Sequence, residues 1–97
     1  MDIIKRNGTK VPFDKEKIFH AISLANDSVK IKHKLTKTKI REITDSISEA
    51  YESGSRAKSV ETVQDMVEEA LVEAGAYGVA SHFAHNRRSI HIWANDG

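Results

Sequence analysis

Ile3 and Ile4 form a short apolar run, followed by Lys5-Arg6 and then Asn7-Gly8. Asn-Gly beside apolar residues is a strong hairpin signal, because both residues tolerate positive φ. Thr9, Lys10 and Val11 supply the returning strand. Pro12 has no N–H for the ladder and ends it. A lone hairpin is marginal in water, so another element has to cover it.

Beyond Pro12 the apolar period becomes helical. Asp14 suits an N-cap. Ile18, Ala21, Ile22 and Ala25 recur at helical spacing before Asn26, Asp27 and Ser28 weaken the pattern. VKIKHK, from Val29 to Lys34, alternates apolar and basic residues and is read as a charged loop. A second helix starts near Thr36, with Ile40, Ile43, Ile47 and Tyr51 on one stripe and Gly54 as its C′ residue. Ser59 or Thr62 caps a third helix, whose apolar face is Val63, Met66, Val67, Ala70 and Leu71 and which Gly75 closes. A fourth runs from about Ala76 through Val79, Ala80 and Phe83 to Arg87-Arg88. The expected fold is α+β and mostly helical: an N-terminal β-hairpin over one end of a bundle of four α-helices.

With 97 residues the chain fits one domain. It has no cysteine, which removes disulfides and thiolate chemistry. It shows no signal-peptide pattern and no membrane span, so a soluble, cytoplasmic protein is expected. The net charge of +1 conceals an asymmetry. Residues 1–41 hold 11 Lys/Arg and 4 Asp/Glu, a balance of +7, whereas residues 42–97 hold 4 and 10, a balance of −6. A basic first half attracts phosphates, unless the two halves neutralise each other in the fold.

Catalytic signatures are missing. Neither a Walker A loop nor G-x-G-x-x-G occurs, and no serine sits in a nucleophile elbow. His82 and His85 lie three apart on a predicted helix, with His91 beyond. No nearby carboxylate or cysteine completes a metal site, so no metal ligands are assigned. Glu68 and Glu69 fall on a solvated acidic helix face. The chain is therefore not expected to be an enzyme. Lys5 and Arg6 are the suggestive pair. Strand neighbours point to opposite faces, yet both stems are long enough to curl toward one triphosphate near the turn. The alternative is two solvated cations.

KRNGTKVPFDKEKIFHAI resembles the opening of the ATP-cone domain, the nucleotide-sensing module of ribonucleotide reductases. The matching residues are Ile3, Lys5, Arg6, Asn7, Gly8, Val11, Phe13, Asp14, Lys17 and Ile18. SVETVQDMVEEALVEAG, from Ser59 to Gly75, is similar to the family's Ile-Gln-Asp-x-Val-Glu segment, and AYGVASHFAHNRR, from Ala76 to Arg88, to its closing helix. The opening most resembles cones of the anaerobic enzymes. The resemblance implies a cone over residues 1–88 and a tail over 89–97. Asn86 replaces a usual aromatic and Phe83 a usual tyrosine. The tail SIHIWANDG does not resemble the usual passage into a catalytic domain.

The resemblance implies ATP or dATP bound beneath the hairpin, against the bundle. By position, Lys5 and Arg6 would engage the phosphates, and Lys17 would add a third cation or reach the sugar. Ile3 and Val11 would frame the base or ribose. Val60 and Gln64 would line the pocket, and Arg87 would approach the phosphates. Three or four cations would balance the roughly four negative charges of a triphosphate through charge-assisted contacts, with Mg²⁺ held mostly by phosphate oxygens and water. The implied partner is a ribonucleotide reductase catalytic domain or subunit, with self-association a further possibility. Two other readings stay open. VKIKHKLTKTKIR, residues 29–41, carries six Lys/Arg and no acid, as a nucleic-acid contact would, although the acidic second half opposes it. The other is a cone-derived interaction module without nucleotide binding.

Overall fold

The computed structural model describes residues 1–86. The elements in order are β1 (Asp2–Ile4), β2 (Lys10–Pro12), α1 (Lys15–Asp27), a 3₁₀ turn (Ile31–His33), α2 (Lys37–Glu52), β3 (Lys58–Ser59), α3 (Val60–Glu73) and α4 (Tyr77–His85). The fold is α+β and mostly helical, as expected. The Arg87-Arg88 end of the fourth helix and the tail 89–97 lie outside the described residues.

The hairpin turn differs in detail from a two-residue Asn-Gly turn. The Gly8 N–H donates to the Lys5 carbonyl at 2.9 Å, and the Lys5 N–H donates to the Thr9 carbonyl at 2.8 Å. Gly8 has φ +87°. The loop is thus three residues, Arg6 to Gly8, with a left-handed glycine closing it. Asn7 acts through its side chain, whose Oδ1 accepts the Thr9 N–H at 3.0 Å.

The sheet has a third strand that sequence patterning did not reveal. The strand order is β2-β1-β3. β1 pairs antiparallel with β2, Ile3 facing Val11. It pairs parallel with β3, Ile3 facing Lys58 and Ile4 facing Ser59. β1 is therefore the central strand, and Ile3 is fully buried beneath it. A two-residue strand is too short to carry a period of its own.

The helix starts follow local chemistry. The Asp14 side chain accepts from Glu16 N, Thr36 from Lys39 N, and Ser59 from Thr62 N. Each oxygen thereby satisfies an amide that has no partner within its helix. α3 ends where Gly75, at φ +76°, reverses the chain. Ala76 N donates to Leu71 O and Gly75 N to Val72 O, both at 2.9 Å, the paired bonds of a Schellman stop. Gly54 takes the expected C′ place after the Ser53 cap of α2, but without the left-handed conformation, since positive φ among the described glycines is confined to Gly8 and Gly75.

Asn26 does more than weaken α1. It is buried inside the helix end. Its amide donates to Leu35 O at 3.0 Å, and its Oδ1 accepts Leu35 N at 2.7 Å, clamping the loop between α1 and α2.

The helices close on one another in the order α1-α2-α3-α4, with α4 returning to α1. Ile18, Ile22, Ile40, Tyr51, Leu71 and Phe83 fill the centre. α1 and α3 both begin beside the sheet and rise about 1.5 Å per residue. Their C-termini, the 28–36 loop and the Gly75 turn therefore lie at the opposite end. Among the described residues, no helix is long and apolar enough to cross a membrane.

Candidate functional site

The parallel pairing of β1 with β3 decides where the two N-terminal cations go. Ser59 caps α3 and sits opposite Ile4. The next residue on β1 is Lys5, which is thereby delivered to the first turn of α3. Lys5 is only 6% exposed. Its Nζ is buried and has no hydrogen-bond partner among the described residues. A buried ammonium without an acceptor is strongly unfavourable, because desolvation is not offset.

Arg6 takes the other face. It is exposed, and its Nε lies 2.6 Å from Glu61 Oε1 on the first turn of α3. Side-chain exposures of 59% and 52% make this a screened contact worth roughly 0–1 kcal/mol. It nevertheless holds the hairpin turn over the start of α3. The dipole of α3 gives the region a positive end, although Glu61 offsets part of it.

The remaining expected site residues divide by burial. Val60 and Gln64 lie one turn apart on α3, at 6% and 1% exposure, on the side that Lys5 approaches. Gln64 is a polar side chain on an otherwise apolar buried face. Val11 is half-buried and packs against the core. Ile3 belongs to the core itself, so its side chain faces the bundle. Lys17 is exposed on the first turn of α1, and its ammonium makes no ion pair among the described residues. Arg87 lies outside the described residues. The structure thus gathers Lys5, Arg6, Val60 and Gln64 where the hairpin meets α3.

Two contributors were not visible in the sequence. Glu61 reaches Arg6 across a separation of 55 positions, which no local pattern encodes. Tyr51, expected only as the end of an apolar stripe, bonds through its hydroxyl to both strands of the parallel pair: it donates to Asp2 O and accepts Lys58 N at 2.9 Å. Phe13 stacks on its ring at 4.1 Å.

Among the described residues, no group of three His, Cys, Asp or Glu side chains could hold a metal ion. His82 is half-buried with the Asn86 amide 3.3 Å from its Nε2, and His85 is exposed.

No curated protein matches the chain closely enough to count as a relative. A family model described as the ATP cone domain matches residues 1–89. Such a cone is a nucleotide-binding regulatory module and is not itself catalytic. With nearly its whole length matched and the hairpin-on-bundle architecture in place, the chain belongs to the ATP-cone domain family.

Proposed function

We propose that this cone binds an adenine nucleoside triphosphate, ATP or dATP, as its Mg²⁺ complex where the hairpin meets α3, and that binding regulates a ribonucleotide reductase catalytic domain or subunit. The observation that carries the reading is Lys5: a buried Nζ without an acceptor among the described residues, beside the positive end of a helix. A phosphate oxygen supplies the missing acceptor.

Arg6 would add a bidentate contact on leaving Glu61, and Lys17 would add a further point charge. Gln64 and Val60 would shape the inner wall, with Val11 and Ile3 supporting the hairpin above. Arg87 joins by its place in the closing segment. Mg²⁺ would ride on the phosphates, since no cluster of protein ligands is at hand among the described residues. Nothing in the reading requires hydrolysis. ATP and dATP differ by one hydroxyl, so a distinct response has to arise from a small difference in affinity between two conformations.

Titration calorimetry with ATP, dATP and GTP, each with Mg²⁺, tests this. Saturable binding of the adenine nucleotides, with GTP much weaker and with loss of heat in Lys5→Ala/Arg6→Ala, is the expected result. Unchanged binding by the double variant would overturn the site. No binding by the parent chain would leave the interaction-module reading in its place.

A further inference from the structure

The end of the bundle away from the hairpin carries two oppositely charged patches that the nucleotide reading does not use. The first is the loop between α1 and α2. Residues 28–36 contain three Lys and no acid. Lys30 and Lys32 are exposed and make no ion pair among the described residues, and between them Ile31 is 87% exposed. The loop is not a free arm. Val29 Cγ1 and His33 Cβ lie 3.8 Å from where a Cβ on Gly78 would stand, so it is seated on the first turn of α4. There Tyr77 adds a second exposed apolar side chain, at 68%.

The second patch is the C-terminal half of α3. Residues 67–75 contain three Glu and no Lys or Arg. Glu69 and Glu73 are exposed and make no ion pair among the described residues. Val72 lies between them on the same outer face, 48% exposed.

We infer that the bundle end opposite the hairpin is a self-association surface: the Lys30–Ile31–Lys32 loop of one copy docks on the Glu69–Val72–Glu73 face of another. Each patch sets an exposed apolar side chain among charges of one sign, and the signs are opposite. Both patches lie at the same end of the molecule, so the contact can be made twice about a two-fold axis, closing a dimer rather than an open chain. A net charge of only +1 leaves little general repulsion to oppose it. The hairpin end stays free, so the inference does not depend on nucleotide binding.

Sedimentation of the 97-residue chain at low and high salt, with two charge-reversed variants, tests it. A monomer–dimer equilibrium is expected at about 20 mM salt and should weaken by about tenfold at 300 mM, where the screening length drops from about 20 Å to about 6 Å. Lys30→Glu/Lys32→Glu and Glu69→Lys/Glu73→Lys should each remain monomeric alone, because like charges then meet in both contacts. Mixed together they should pair, since both contacts regain opposite signs. All four sites are exposed, and circular dichroism checks that each variant folds. A chain that stays monomeric to about 1 mM, the weakest association worth the name, overturns the proposal. So does dimerisation that the reversals do not alter, or a mixture that fails to pair. Salt-dependent binding of the monomer to duplex DNA, without self-association, would assign the basic loop to nucleic acid instead.

Discussion

Tyr51, at the end of α2, accepts the Lys58 N–H on its hydroxyl at 2.9 Å. The same hydroxyl donates to the Asp2 carbonyl. One fully buried phenol thus joins a helix to both partners of the parallel strand pair. That pair sets the register that brings Lys5 to the start of α3.

Replacing Tyr51 with Phe keeps the ring, and with it the stack on Phe13 at 4.1 Å. It strips two backbone groups of their partner. Unsatisfied buried groups of this kind cost about 1–3 kcal/mol. Chemical denaturation should show a loss of that size, and hydrogen exchange should show faster opening of β3 than of α1. A variant as stable as the parent would mean that the strand pair stands without the tether.

Lys5→Met should separate stability from binding. An unpartnered buried ammonium is replaced by an apolar side chain of similar length. The ligand-free protein should be as stable as the parent, or more so by up to about 2 kcal/mol. Stabilisation by ATP in a thermal melt should largely disappear, because that effect scales with affinity for the folded state. A ligand-free Tm that falls with the nucleotide response intact would show that Lys5 has a structural role only.

Asn26→Ala tests the clamp between α1 and α2. Both bonds to the Leu35 backbone, at 3.0 and 2.7 Å, would be lost in a half-buried setting. A loss of about 1–3 kcal/mol is expected from urea unfolding. Since Lys30 and Lys32 sit in that loop, salt-dependent self-association should weaken as well.

Glu16 gives a pH signature remote from the nucleotide site. Arg41 bonds its carboxylate through both guanidinium arms, at 2.5 and 2.9 Å, and stacks on Phe19 at 4.1 Å. The hydrogen bonds from Arg41 hold the Glu16 carboxyl below its ordinary value of 4.5, with burial opposing and the charges of Arg41 and Lys15 assisting. A group whose folded-state pKa is depressed contributes stability above its unfolded value and loses it as pH falls through the folded one. Stability should therefore decline below pH 4.5 more steeply in the parent than in Glu16→Gln, and the two Tm curves should converge in stronger acid. Parallel curves throughout would show that the pair contributes nothing measurable, as many exposed pairs do.

The helices and their starts were legible because their signals are local. Asp14, Thr36 and Ser59 each cap within three residues, and the stripe from Ile40 to Tyr51 repeats at the helical period. Family resemblance located the candidate site on the hairpin and the start of α3, since the motif residues themselves carry it. The turn was legible as a turn but not as a three-residue one, because Asn7-Gly8 suits both forms and the closing bonds choose between them. Asn26 appeared as a helix breaker because side-chain partners nine positions away leave no trace in periodicity.

The chain alone determined the four-helix pattern, the hairpin, the charge asymmetry and the closeness of Lys5 to Arg6. Tertiary structure decided what those two cations face. β3 is two residues long and exists through pairing with β1 and the Tyr51 hydroxyl. That pairing turns Lys5 inward, without an acceptor among the described residues, and leaves Arg6 outside against Glu61. Backbone conformation follows from neighbours in sequence. Desolvation and charge pairing depend on groups more than fifty positions apart, and folding alone brings those together.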